Sequence, residues 1–313
     1  MGIGFVLRRL AALIALITAL SFVIFSLLTL APGSPERALL GTRPATPETL
    51  AAIRSQYHLD QSLFEQYLIW VKGALHFDFG TSIQNQQSVT DLLQQRAAVS
   101  FRLVGLAFLL AIVLGILLGL ISAVFERSLL DRTVVALTIA GVSAPAFVSG
   151  LILLYIFGVQ LAWLPIGGTQ NGFESYILPS IALAIGMLAL ITRIARTSFA
   201  RELNRDHVRF ARGRGLSNTH ILLAHVIRNG MIPVVTSAGL VLALMMGGTI
   251  LVETVFSLPG LGSLLVTATL AQDFPVVQAI VLLLAVLIVL VNLGVDLTYP
   301  ILDPRVRFEG RSS

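Results

Sequence analysis

Cysteine is absent from the 313-residue chain, which excludes disulfides and Cys-ligated metal sites together. Charge is scarce as well: 12% of residues carry it, against about 25% in ordinary soluble domains. A globular protein of this length could not cover its exterior with so few polar groups, so a soluble enzyme is excluded and lipid must be the solvent for most of the surface. Lysine occurs once, as Lys72, without the glycines that precede the lysine of a GxxxxGK(S/T) phosphate loop. The chain therefore does not hydrolyse nucleotide itself, and any ATP-driven function requires an ATPase on another subunit. Histidine is sparse and scattered at His58, His76, His207, His220 and His225. No HxxxH-type pair exists, and no metal site is expected.

What the chain has in abundance is apolar length, with 56% hydrophobic residues and a mean hydropathy of +0.89. A hydrocarbon layer of about 30 Å needs roughly 20 apolar residues of helix. Six runs qualify: Leu10 to Ala31, Leu103 to Phe125, Thr133 to Gln160, Ile177 to Ile191, Met231 to Val252 and Val276 to Tyr299. The fourth is the shortest and carries Pro179 near its start, where the missing N–H costs no intrahelical bond. None shows the alternation of a barrel strand. The first run follows Arg8 and Arg9 and precedes small residues at Ala31 and Gly33, as a cleavable signal would. It outruns a signal core of roughly 7 to 15 residues, which predicts an uncleaved first helix.

Arginine placement predicts orientation, because cytoplasmic loops hold the positive charge. Arg8 and Arg9 precede helix one, Arg127 and Arg132 lie between helices two and three, and Arg305, Arg307 and Arg311 follow helix six. Between four and five come Arg193, Arg196, Arg201, Arg205, Arg209, Arg212, Arg214 and Arg228, whereas Trp163 to Tyr176 and Glu253 to Pro275 contain no Lys or Arg. Both termini are predicted on the cytoplasmic side of the membrane. The expected organisation is 1–31 for the N-terminus and first span, 32–98 for an extracytoplasmic segment, 99–300 for the transmembrane core and 301–313 for a cytoplasmic tail. The fold class expected is an all-α membrane protein.

The segment 32–98 carries three helix-start signatures. Thr46-Pro47-Glu48 precedes Leu50, Ile53 and Tyr57; Ser62-x-x-Glu65 precedes Tyr67, Leu68, Val71 and Leu75; Ser88-x-x-Asp91 precedes Leu92 and Leu93. Their apolar faces predict a small helical cap on the outer ends of the membrane helices. Ionisable groups near the spans are Arg102, Glu253 and Asp296, all at helix ends, where a charge reads first as an interfacial anchor. Glu253 is also a candidate for an outer gate. These positions keep open a competing class, an ion-coupled secondary transporter or channel acting alone.

The connection Arg193 to Arg228 is long, while Glu126 to Arg132 is short. Only Phe199 and Phe210 interleave with its arginines, so no nucleic-acid partner is expected. Asp206 is placed to cap a first helix through Arg214, with Val208 and Ala211 on one side and Arg205, Arg209 and Arg212 on the other. Gly215 occupies the position at which a helix ends in the left-handed conformation, and Ser217 caps a second helix through His225 toward Met231. This spacing predicts a helix–Gly–helix bracket, although composition alone favours a plain amphipathic linker lying on anionic lipid.

The stretch Val208-Arg209-Phe210-Ala211-Arg212-Gly213-Arg214-Gly215-Leu216, with His225, Arg228, Asn229 and Pro233 beyond it, resembles the EAA cytoplasmic loop of ATP-binding-cassette (ABC) importer permeases. It is most similar to the B-type permease of the dipeptide/oligopeptide/nickel group. The similarity extends to Pro32-Gly33-x-Pro35, Leu59-Asp60-Gln61, Asp78-Phe79-Gly80-Thr81-Ser82, Trp163-Leu164-Pro165, Phe256-x-Leu258-Pro259-Gly260-Leu261-Gly262 and Leu302-Asp303-Pro304-Arg305-Val306-Arg307. Phe210 and Gly213 replace the family's usual small residue and alanine, and His58 and Ser62 stand where glycine and proline are usual. The resemblance implies a permease subunit of an importer for peptides or peptide-like solutes. Its implied partners are a second, C-type permease, two cytoplasmic ATP-binding subunits that hold ATP and Mg²⁺, and an extracytoplasmic solute-binding protein. It further implies a coupling loop over 197–230, with Val208, Arg209, Ala211, Arg212, Gly215 and Leu216 facing the ATPases, and no cofactor in this chain.

Overall fold

The computed structural model describes residues 3–30, 40, 46–56 and 58–302. Tyr57, the Pro32-Gly33-x-Pro35 motif and the tail from Asp303, with Arg305, Arg307 and Arg311, lie outside the described residues, as does the side chain of Asp296. Helices dominate, and among the described residues the one β-type pairing is an isolated antiparallel bridge between Thr81 and Ser88. The chain forms two compact units, Met1–Ser100 with Pro259–Leu290 and Phe101–Leu258 with Val291–Ser313.

The first unit contains α1 (Ile3–Leu30), α2 (Pro47–Gln56) and α3 (Leu63–Leu75). It also holds the start of α4 (Val89–Val124), then α11 (Leu261–Leu270) and much of α12 (Phe274–Leu302). Local chemistry sets the helix starts. Thr46 Oγ1 accepts from Thr49 N at 3.2 Å ahead of Pro47. Ser62 and Glu65 close a reciprocal capping box, while His58, in a position where glycine is usual, takes a φ of 53°. Ser88 opens no separate third outer helix: Val89 begins a continuous 36-residue helix that is also the second apolar run. Val89, Leu92 and Leu93 form a core with Leu261, Leu264, Ala268, Val276, Ala279 and Ile280. The stretch Glu253 to Pro275, between the fifth and sixth apolar runs, therefore supplies an apolar helix of its own, α11. Asp273, 1% exposed, ties the loop before α4 in place by accepting from Ser82 Oγ, from Ile83 N at 3.1 Å and from Gln84 N at 3.2 Å.

The second unit continues α4 and adds α5 (Leu129–Ser143), α6 (Ala146–Leu153) with a π-helical extension Leu154–Gln160, and α7 (Ile177–Leu203). The third apolar run is not one rod. It bends by 104° between Ser143 and Ala146. Pro145 is the cause: it pushes Ala144 to extended backbone (φ −91°, ψ 119°), and its own carbonyl starts the next helix by accepting from Val148 N and Ser149 N. The fourth run proves longer than its apolar stretch, since α7 continues through Arg193, Arg196 and Arg201. α4 packs on α7 through Gly115 and Gly119. A Cβ on Gly119 would lie 2.5 Å from Ala195 Cβ, so this small-residue spacing serves close contact within the chain. Among the described residues, Val89–Val124, Gly172–Leu203, Asn218–Val255 and Phe274–Val295 are long and apolar enough to cross a membrane, and the bent pair makes a fifth. The described apolar stretch of α1, Ala11–Ser26, is shorter than a span.

Candidate coupling loop

The loop grows out of α7, whose last turn ends at Asn204 with its Nδ2 donating to Ala200 O at 2.9 Å. Glu202, buried at that end, meets Arg205 Nε at 3.1 Å and His207 Nε2 at 3.7 Å. α8 follows as Asp206–Gly213. The cap position belongs to Arg205, which makes no side-chain cap bond, and Asp206, expected to be the cap, sits in the first turn, where a carboxylate favours the helix dipole. Gly215 has φ 79°. Gly215 N donates to Arg212 O at 3.0 Å and Leu216 N to Ala211 O at 3.3 Å, the paired bonds of a Schellman stop. Ser217 Oγ then accepts from His220 N at 3.3 Å and starts α9 (Asn218–Ile221). This second helix does not end near Met231. It passes through a π-helical stretch, Leu222–Ile227, directly into α10 (Arg228–Val255).

The two sides of α8 are unlike. Val208 and Ala211 are buried within the chain, while Arg209, Phe210, Arg212 and Arg214 are exposed; Phe210 is 77% exposed and Leu216 41%. Of the six residues expected to face a partner, Arg209, Arg212, Gly215 and Leu216 are on the surface, and Val208 and Ala211 are the seam that fastens α8 to its own subunit. Phe210, large where small residues are usual, sits on the open side and so needs no room inside. His225 is half-buried, Arg228, Asn229 and Pro233 are exposed, and Pro233 lies inside α10. The histidines are less scattered than their spacing suggests. The His225 ring lies 6.0 Å from that of His207 and 6.2 Å from that of His220, although among the described residues no group of three or more His or acidic side chains could hold a metal ion.

Two supports of this loop left no local signal in the sequence. Asp131, 3% exposed, receives Arg196 in a bidentate pair with Nε–Oδ1 at 2.6 Å and Nη2–Oδ2 at 2.8 Å. Ser122 Oγ and Arg127 N donate to the same carboxylate, so α4, α5 and α7 meet on one residue. Gly230 lies against the Phe199 ring, where a Cβ would approach Cδ1 to 2.5 Å, and its carbonyl accepts from Ser198 Oγ at 2.8 Å. Glu253, at the far end of α10, is fully buried, with its carbonyl accepting from Leu258 N at 2.9 Å.

Residues 115–308 match the family described as binding-protein-dependent transport system inner membrane component, and residues 2–104 match its N-terminal membrane component. The chain is 36% identical to the glutathione transport system permease protein GsiC of Escherichia coli strain K12, over 98% of this chain and 100% of that protein. It is 37% identical to the protein of the same name from Salmonella typhi, with the same coverage. The fold is similar to that of a MetNI methionine ABC transporter chain in an inward-facing conformation. That match has a TM-score of 0.59 at 17% identity, covering 68% of this chain and 96% of the other. A second likeness, to an amino acid ABC transporter solved with histidines, has a TM-score of 0.52 at 17% identity, covering 66% and 92%.

Proposed function

Since the chain belongs to the inner-membrane-component family of binding-protein-dependent transport systems, and so is a permease subunit of an ABC importer, we propose that its solute is a peptide or peptide-like molecule of the glutathione class. The observation that carries this reading is the likeness to a glutathione permease over 98% of this chain and 100% of that protein. In this reading the chain forms half of the path, paired with a C-type permease, two ATP-binding subunits and a solute-binding protein. It crosses the membrane six times with both termini inside, α1 supplying the span beyond the five that length and composition support. Glu253 belongs to the outer gate and acts through the packing that encloses it.

Coupling runs through the loop. ATPase closure pushes on the exposed side of α8, at Arg209, Arg212, Gly215 and Leu216. Val208 and Ala211 transmit the push because they are locked into the subunit, and His225, Arg228, Asn229 and Pro233 carry it into α10. The Asp131–Arg196 pair keeps α5 and α7 from yielding under that load. The test is solute-stimulated ATP hydrolysis by the purified complex with its binding protein, using glutathione and short peptides. Uptake that survives without the ATPase subunits and collapses with an ion gradient would instead establish the ion-coupled class.

A further inference from the structure

α3 meets α1 in the middle of α1's apolar run. The Tyr67 hydroxyl donates to Thr18 O at 3.2 Å and lies 2.8 Å from Ser21 Oγ. The Phe22 ring stands edge-on to Tyr67 at 5.2 Å, and Phe25 lies 5.8 Å from Tyr67 and 5.7 Å from Trp70. At about 1.5 Å per residue, α1 rises roughly 18 Å from Arg9 to Ser21 and roughly 14 Å from Ser21 to Leu30. If α1 crosses an apolar layer about 30 Å thick, Ser21 is near its midplane. A helix that bonds to Ser21 cannot then rest on the outer ends of the spans.

The surface of α3 agrees with that depth. Phe64, Leu68 and Leu75 are 62%, 50% and 75% exposed, and with Val71 they recur at helical spacing along one face. Phe77, 72% exposed, follows directly. Lys72 has a stem long enough to carry its ammonium toward the interface. Both helix ends are closed by the segment's own groups. Glu65 N donates to Ser62 Oγ and Ser62 N to Glu65 Oε2, while Gly73 O accepts from His76 N at 2.8 Å and Asp78 N at 2.9 Å and Ala74 O from Phe77 N at 3.0 Å.

We propose that α3 is a lipid-immersed helix, lying beside α1 in the non-cytoplasmic leaflet with Phe64, Leu68, Val71 and Leu75 against acyl chains. The choice of leaflet and the depth of α1 rest on the six-span reading given above. In consequence the residues from Ser62 to Phe77 belong to the membrane part of the protein rather than to an aqueous outer cap.

The chain's lack of cysteine makes the test direct. Phe64→Cys, Leu68→Cys and Leu75→Cys are each given a nitroxide label in the assembled transporter, its partner subunits freed of cysteine, in bilayer nanodiscs. Ile14→Cys and Val23→Cys, 64% and 60% exposed on α1, serve as lipid references, and Gln61→Cys as the aqueous one. Collision with oxygen, which concentrates in lipid, is compared with collision with a water-soluble nickel chelate. Oxygen should exceed the chelate severalfold at all three α3 positions and both α1 positions, and the ratio should invert at position 61. Chelate dominance at the α3 positions would show that the stripe faces water, and low collision with both probes that a partner protein covers it. Either result, with the α1 references in lipid, overturns the inference and leaves the six-span reading standing. Failure of the α1 references overturns both.

Discussion

Replacing Gly215 separates a mechanical bracket from a passive linker. Its φ of 79° is open to glycine and strained for other L-residues, at a cost of about 1–2 kcal/mol. An ideal Cβ at Gly215 would meet nothing within 4 Å, so no steric term adds to the backbone cost and the replacements can be ranked by conformation alone. Asparagine tolerates the left-handed region, alanine bears the ordinary penalty and a β-branched valine the largest. Since about 1.4 kcal/mol is a factor of ten in an equilibrium, Gly215→Ala should depopulate the corner roughly five- to thirtyfold and Gly215→Val by more. Losing the corner also breaks the bonds from Gly215 N to Arg212 O and from Leu216 N to Ala211 O. No apolar membrane residue changes, so insertion should be intact. Measured in proteoliposomes with equal amounts of complex, solute-stimulated ATP hydrolysis and uptake should fall together in the order Gly215, Asn, Ala, Val. Normal transport by Gly215→Val would refute the coupling role of the loop while leaving the family membership untouched.

Ala211→Glu buries a carboxylate in the seam and should destabilise the subunit itself; lowered membrane abundance checks it. Orientation is tested by impermeant thiol reagents: Ser217→Cys should react only after the membrane is opened, and Thr81→Cys and Asn171→Cys in cells whose outer barrier alone is permeabilised. Labelling of Ser217→Cys from outside would reverse the topology. Asp131→Ala leaves Arg196 without its carboxylate and should cost about 3 kcal/mol, visible as a lower unfolding midpoint in detergent, whereas Asp131→Leu with Arg196→Met should recover most of it. Gly230→Ala should cost about 1–3 kcal/mol by overpacking against Phe199, and Phe199→Leu in the same chain should relieve it; an unaffected single variant would mean that α7 and α10 part easily there.

Features that depend on neighbours within a few residues were legible in the sequence by itself. The caps at Thr46, Ser62 and Ser217, the glycine stop at Gly215 and the apolar runs follow from backbone hydrogen bonding and from the thickness of a bilayer, both of which act over one helix. The likeness of the loop to a transport-family motif was legible for the same reason, being a contiguous string. Pro145 marked a break in the third run just as plainly, but hydropathy averages over a window and does not register a missing N–H, so the bend of 104° emerged only in three dimensions. Tertiary structure alone decided which side of α8 is spent inward. Arg209 and Ala211 are two residues apart and equally local, yet only packing against the rest of the chain buries Ala211 and leaves Arg209 exposed. The pairing of Asp131 with Arg196 and of Asp273 with Ser82 joins residues 65 and 191 positions apart. No short-range pattern encodes such a pair, because its energy exists only once the helices have brought two charged or polar groups out of water and into each other's reach.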